Sequence, residues 1–256
     1  MKNNFHEFRY VMHLDHYDEG VFFYREVLGL QPNYTWSIVP NNYGYRLYMG
    51  TGRIEMVQYP FEPKQGRSEF KAECRDLKLC LARMREEMPD ITVLEETDGW
   101  VSVLDPNGNI AHLYQGKNDA ASSGVVEKTN MFAGDFTAIL YVDDLVEAKS
   151  FYADYIGLPL LSDGEESCLF QAGDAMLEIR ANRVDAPMGP SMIALEADSV
   201  NRIHDRLKDD ERYREAFVLH DTDFDERRFF QILDPSGNVV EFYAYLRNVR
   251  EEILLH

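Results

Sequence analysis

Cysteine is scarce, with only Cys74, Cys80 and Cys168 among 256 residues. Three scattered cysteines exclude a disulfide framework and a zinc knuckle, and they fit a reducing cytoplasm. No apolar run approaches the roughly 18 residues that span a bilayer. The start, Met1-Lys2-Asn3-Asn4-Phe5-His6-Glu7, lacks the apolar segment of a signal peptide, so a membrane is not an expected partner. Positive charge is also short: 26 Lys and Arg face 45 Asp and Glu, for a net charge of −19. Binding to phosphate backbones needs a basic face, so nucleic acid is not an expected partner either. The acid excess serves solubility, or it attracts cationic small molecules. No nucleophile elbow, phosphate-binding glycine loop or HExxH motif occurs. Hydrophobic content of 45% with 12% aromatics does allow real cores, and the length predicts one large or two ordinary domains.

What the sequence does contain, it contains twice. Val21-Phe22-Phe23-Tyr24-Arg25-Glu26-Val27-Leu28-Gly29-Leu30 is answered by Ala148-Lys149-Ser150-Phe151-Tyr152-Ala153-Asp154-Tyr155-Ile156-Gly157-Leu158. Asp105-Pro106-Asn107-Gly108-Asn109 is answered by Asp234-Pro235-Ser236-Gly237-Asn238. The period is far longer than the roughly 20–50 residues of a solenoid, so the chain holds two copies of one domain. Expected boundaries are 1–118 and 134–246, joined by a linker at 119–133 and followed by a tail at 247–256. The linker carries the small polar run Asp119-Ala120-Ala121-Ser122-Ser123-Gly124, which marks flexibility.

Each copy reads as two strand-rich halves, each with one helix. Copy one predicts a strand at Arg9–Leu14, a helix capped by Asp15 or Asp18 and ended at Gly29, then strands at 31–39, 43–50 and 53–59. Its second half predicts a strand at 68–75, a helix at 77–88, and strands at 91–96, 99–104 and 109–115. Copy two predicts a strand at Thr137–Val142 and a helix to Ile156 opened by an Asp144–Glu147 capping box. Strands at 159–163, 167–172, 175–181 and 191–197 follow, then a helix at 200–208 and strands at 216–220, 228–233 and 238–245. The Phe-Tyr pairs read as core. The Asp-Pro-x-Gly-Asn runs read as turns, because Pro presets φ and Gly supplies a positive φ.

A βαβββ plan occurring four times, with Phe-Tyr…Gly-Leu after the first helix and Asp-Pro-x-Gly-Asn before the last strand, resembles the vicinal-oxygen-chelate superfamily of glyoxalases, bleomycin-resistance proteins and extradiol dioxygenases. The resemblance covers about 8–116 and 135–246. It implies an α+β fold of four βαβββ units, making two tandem glyoxalase-like domains whose mixed sheets form cups. It leaves the reaction open, since one fold serves many chemistries.

The resemblance also implies where metal ligands belong: on the first, fourth, fifth and eighth strands. It places Glu55 and Glu178 on the fourth strands, and His112 and Glu241 on the eighth. These four are the expected metal ligands, for zinc, nickel, manganese or iron. The first-strand positions hold Arg9 and Thr137, and the fifth-strand positions fall near Phe70 and Met192. None of these is a usual ligand, so the set is incomplete; His13, Glu69 and Glu196 lie close enough to matter in a shifted register. Strand alternation turns Arg9, His13, Arg53, Tyr59, His112 and Tyr114 inward in copy one. In copy two it turns Tyr141, Glu178, Arg180, Glu241, Tyr243 and Tyr245 inward. Arg9 pairs with Glu55, or Arg9 and Arg53 grip a substrate carboxylate. Glu178 and Glu241 side by side would share a proton, hold a cation or act as an acid–base pair. The expected substrate-binding set is therefore Arg9, His13, Arg53, Tyr141, Arg180 and Tyr243, and the expected catalytic pair is Glu178 and Glu241. Trp36 and Trp100 are packing residues or stacking platforms.

Two functions stay open. One is an enzyme of lyase, isomerase or ring-cleaving type, acting on a small oxygen-bearing molecule with a divalent metal as Lewis acid. The other is a metal-free module that sequesters a small molecule, similar to bleomycin-resistance proteins. A tandem chain completes its own pseudo-dimer, so a monomer is expected as readily as a homodimer.

Overall fold

The structure is a computed structural model that describes residues 4–39, 42–58, 66–116, 131–182, 189–222 and 226–247. Four βαβββ units follow one another along the chain. The first comprises β1 (Phe5–His13), α1 (Tyr17–Phe22, continued by a π-helical turn over Phe23–Val27), β2 (Pro32–Val39), β3 (Asn42–Met49) and β4 (Gly52–Gln58). The second comprises β5 (Glu69–Cys74), α2 (Leu77–Glu87), β6 (Val93–Thr97), β7 (Trp100–Leu104) and β8 (Ile110–Gln115). The third comprises β9 (Phe132–Val142), α3 (Leu145–Ser150, continued by a π-helical turn over Phe151–Ile156), β10 (Leu160–Asp163), β11 (Ser167–Ala172) and β12 (Ala175–Ala181). The fourth comprises β13 (Met192–Ala197), α4 (Val200–Leu207), β14 (Glu215–Thr222), β15 (Arg227–Leu233) and β16 (Val239–Tyr245). The fold is the α+β class expected from the repeat. No helix among the described residues is long and apolar enough to cross a membrane.

The chain divides into two compact units. One holds the described residues of Met1–Tyr10, Lys64–Gly66 and Leu140–His256; the other holds those of Val11–Pro63 and Arg67–Ile139. In the second of these, β2, β3 and β4 form an antiparallel run. There too, β6, β7 and β8 run antiparallel, β8 joins β5 in parallel, and β5 pairs antiparallel with β9. The first unit repeats the plan: β10, β11 and β12 are antiparallel, as are β14, β15 and β16, and β16 joins β13 in parallel.

The two repeated motifs prove to be partners. In the second unit Tyr24 donates its hydroxyl to Asp105 Oδ2 at 3.0 Å. In the first unit Tyr152 donates to Asp234 Oδ2, also at 3.0 Å. Both tyrosines are fully buried, each beside its fully buried or nearly buried phenylalanine, Phe23 and Phe151. Each such aromatic side chain stabilises the core by about 1.5–3 kcal/mol through burial. The aspartates need these donors because burial pushes their carboxyls above the usual range, while hydrogen bonds from the turn and the tyrosine oppose the shift. Within each turn the aspartate also takes backbone N–H groups, those of Asn107 and Asn109 in one copy and Ser236 and Asn238 in the other. Gly108 and Gly237 sit at φ +79° and +87°, a conformation that glycine adopts without steric cost.

Two local expectations are corrected. Neither Asp15 nor Asp18 caps α1: its N-cap is His16. The backbone N–H of His16 is taken at 2.7 Å by Asn107 Oδ1, from the turn before β8. Asp144 does cap α3, accepting from the N–H groups of Val146 and Glu147. Second, the strand expected at Thr137–Val142 begins earlier. Met131 and Phe132, assigned to the linker, are buried, because Arg75 N–H bonds Met131 O at 2.9 Å and Cys74 pairs with Phe132. The remaining linker residues, Tyr59 and residues 248–256 lie outside the described residues. Phe70 and Met192, at the fifth-strand positions, are core residues at 0% and 3% exposure; Phe70 packs its ring 5.7 Å from that of Phe136.

Candidate functional site

Glu55 lies on β4, directly across from Arg46 on β3. The Arg46 guanidinium donates to both carboxylate oxygens, at 3.1 and 3.3 Å, and Trp36 Nε1 donates to one of them at 2.9 Å. Arg46 and Glu55 are 3% and 5% exposed. A buried carboxylate is costly unless paired, and a two-point guanidinium contact is the strongest neutralisation a side chain offers. Gly44 makes room for this arrangement, since a Cβ there would collide with the Trp36 indole. Arg53 sits two residues before Glu55, donates to the carbonyl of Thr51 at 3.2 Å and lies over the Tyr48 ring.

The corresponding strands of the first unit repeat the theme. Glu241 on β16 is 5% exposed. It accepts from Arg227 Nη1 at 2.9 Å and from Gln231 Nε2 at 2.9 Å, both on β15. Arg9, fully buried, lies 3.9 Å over the Tyr243 ring. It donates to Glu7 at 2.6 Å and to Tyr245 at 3.1 Å, and Tyr243 donates to the same Glu7 oxygen at 2.7 Å. Burial, with Glu7 nearby, raises the carboxyl pKa of Glu196 on β13; Glu196 is level with Tyr243 across the parallel ladder. Glu178 on β12 is held by Arg180 at 2.7 Å.

His112 on β8 uses both ring nitrogens. Nε2 meets Glu69 Oε1 at 2.9 Å and Nδ1 meets Ser102 Oγ at 2.7 Å. Trp100 Nε1 donates to the same Ser102 Oγ at 2.8 Å, and the Trp100 ring stacks 6.2 Å from that of Tyr114. Level with His112 on β5 is Lys71, which also faces Thr137 on β9. His13, at the end of β1, has its pKa lowered to about 4, because burial disfavours the imidazolium more than Asp15 favours it.

These positions revise the expected groupings. Glu55 and His112 lie on strands of different sheets, and so do Glu178 and Glu241. The eighth strands pair in parallel with β5 and β13, which takes them away from the fourth strands of the same copy. The carboxylate pair Glu178–Glu241 is replaced by two separate Arg–Glu pairs. Arg9 is engaged by Glu7, Tyr243 and Tyr245. Among the described residues no group of three His, Cys, Asp or Glu is placed to hold a metal ion. The donor chemistry agrees: guanidinium groups fill the carboxylates at Glu55, Glu178 and Glu241, and His112 has both nitrogens engaged. The described residues therefore do not fit a divalent ion.

Arg46, Gln231, Arg227 and Ser102 were not anticipated as site residues. For Arg46 a signal existed. The tight turn at Gly50-Thr51 fixes the β3–β4 register, and that register sets residue 46 opposite residue 55.

Comparison with known proteins completes the description. Residues 133–242 match the family model of the Glyoxalase/Bleomycin resistance protein/Dioxygenase superfamily. A glyoxalase I variant from Zea mays superposes with a TM-score of 0.73 at 15% identity, covering 98% of this chain and 96% of that one. The glyoxalase I of Zea mays gives 0.70 at 14% identity, over 99% and 96%. A putative dioxygenase from Bacillus subtilis gives 0.68 at 15% identity, over 95% and 85%. No curated protein matches by sequence. At these identities the solved structures speak for the fold alone, and the family model matches residues 133–242, less than half of the chain. The chain is similar to the Glyoxalase/Bleomycin resistance protein/Dioxygenase superfamily over that segment, and nearly all of it takes a fold similar to that of glyoxalase I.

Proposed function

We propose that this protein binds a small oxygen-bearing molecule through fixed side-chain charges rather than through a resident divalent ion. The observation that supports this reading most is the recurrence of one substitution. The carboxylate at a fourth-strand position, Glu55, is clasped by Arg46 and Trp36. The carboxylate at an eighth-strand position, Glu241, is clasped by Arg227 and Gln231. On the first unit's face, Arg9, Arg227 and Tyr243 would meet ligand oxygens. Glu196, protonated further up the pH scale than an ordinary glutamate, is the acid–base candidate there. Arg180 beside Glu178, with Tyr141 nearby on β9, would line a second face, as would Arg53 and His13 in the other unit. We expect a cytoplasmic setting, which three buried, unlinked cysteines suit, and a monomer or homodimer.

The metal-dependent reading keeps one specific support, the Glu69–His112 pair, which offers two donors of suitable type. The names of the structural relatives, glyoxalase I and a putative dioxygenase, point the same way. Metal content by mass spectrometry separates the readings, after incubation of the purified chain with nickel, zinc, manganese or iron(II) and gel filtration. Fixed-charge binding predicts that no ion is retained. An ion retained in stoichiometric amount, and lost on Glu241→Ala or His112→Ala, would overturn it.

A further inference from the structure

We propose that Ser102 is an activated nucleophile, with His112 as its base and Glu69 positioning that base, and that this group accepts acyl groups from small esters. The inference is independent of the fixed-charge reading, because it uses none of the Arg–Glu pairs.

Hydrogen-bond direction carries the argument. An indole N–H can only donate, so Ser102 Oγ accepts from Trp100 at 2.8 Å. A carboxylate only accepts, so the ring presents Nε2–H to Glu69 Oε1 at 2.9 Å, and Nδ1 of the neutral imidazole accepts the serine proton, 2.7 Å away. The chain Trp100→Ser102→His112→Glu69 is polarised throughout in the sense a general base requires. A nucleophile within hydrogen-bond reach of a base, itself oriented by a third group, is the signature of covalent catalysis whatever the fold. The Trp100 N–H takes one lone pair of Oγ and, with His112 Nδ1 on the other side, fixes the orientation of the hydroxyl. All four residues stand on neighbouring strands rather than loops, with Ser102 directly across from His112.

Substrate size follows from burial. Ser102 is 3% exposed, while the His112 side chain keeps 16% and Trp100 is half-buried. Such burial would admit only a small acyl group, entering past the half-buried Trp100. In the reaction Oγ attacks the ester carbonyl carbon and its proton passes to Nδ1, while Glu69 balances the imidazolium at Nε2. The tetrahedral intermediate collapses, the bond from carbon to the leaving oxygen breaks, and that oxygen takes the proton from Nδ1. Water repeats the sequence, releasing the carboxylic acid and restoring Ser102, with no net oxidation or reduction.

The test uses the full chain with p-nitrophenyl acetate and with diisopropyl fluorophosphate. A single adduct mapping to Ser102 by peptide mass spectrometry is expected, together with a burst of p-nitrophenol. Ser102→Ala should remove both. His112→Gln should slow labelling on the order of 100-fold. Glu69→Gln should slow it too, with partial rescue by Glu69→Asp, which a merely structural role would not give. Absence of an adduct, an adduct elsewhere, or labelling of His112→Gln at the wild-type rate would overturn the proposal. Should Ser102→Ala fail to fold, the mapped position in the unmodified chain decides.

Discussion

Arg46 and Glu55 face each other across the β3–β4 hairpin, and the guanidinium reaches both carboxylate oxygens, at 3.1 and 3.3 Å. Removing one member of such a buried pair strands a charge and costs about 3–5 kcal/mol. Glu55→Gln and Arg46→Met should each lose that order of stability in urea titrations. The double change to apolar residues should recover much of the loss, since replacing a whole buried pair is often close to neutral. A double variant no more stable than the worse single variant would count against this account.

Gly44→Ala tests the third member of the cluster. A methyl group there meets the Trp36 indole, so the ring must leave its place over β3 and give up its bond to Glu55. Overpacking of this kind costs about 1–3 kcal/mol. Tryptophan emission should shift to the red as the ring gains water. An unchanged spectrum would show that the indole is not seated against Gly44.

The bonds Tyr24–Asp105 and Tyr152–Asp234 make a matched pair of experiments. Tyr→Phe removes the donor and leaves a buried carboxylate oxygen with fewer bonds, at a cost of about 1–3 kcal/mol. Equal destabilisation of the two single variants is the expected result, because both bonds are 3.0 Å long and both turns are built alike. Thermal midpoints that fall in only one variant would contradict the equivalence.

His13 sets an acid limit. Its folded pKa is about 4, below the ordinary 6.5, because burial disfavours the imidazolium. As pH falls the unfolded chain takes the proton first, so stability is intact above about 6.5, declines between 6.5 and 4, and levels off below. The difference corresponds to about 3 kcal/mol. His13→Leu should flatten this part of the stability–pH curve, as followed by chemical denaturation at stepped pH.

The fold was legible because each motif was written twice. Phe-Tyr and Asp-Pro-x-Gly-Asn recur in order, and alternation with turn residues placed nearly every strand to within a few residues. Their hydrogen bond to each other was not legible, since Tyr24 and Asp105 are far apart in sequence and no local pattern joins them. The same holds for the grouping of site residues. Parallel pairing of β5 with β8 and of β13 with β16 is a long-range choice. It decides that Glu55 and His112, or Glu178 and Glu241, lie in different sheets. The bond from the His16 N–H to Asn107 at the start of α1 was illegible for the same reason. Arg46 is the exception: a two-residue hairpin turn fixes its register locally, and counting back from Gly50-Thr51 finds it.

The Tyr–Asp bonds also bear on how this chain can be inherited. Each bond joins the opening βαβββ segment of a copy to the closing segment of that copy, through groups with no water to replace a lost partner. A recombination breakpoint between β4 and β5, or between β12 and β13, would leave a buried tyrosine and a buried aspartate each without its mate. A breakpoint between β8 and β9 would sever neither. These bonds thus tie the two segments of a copy into one piece, while the β5–β9 ladder requires a fusion or permutation seam to keep the start of β9 with the segments before it.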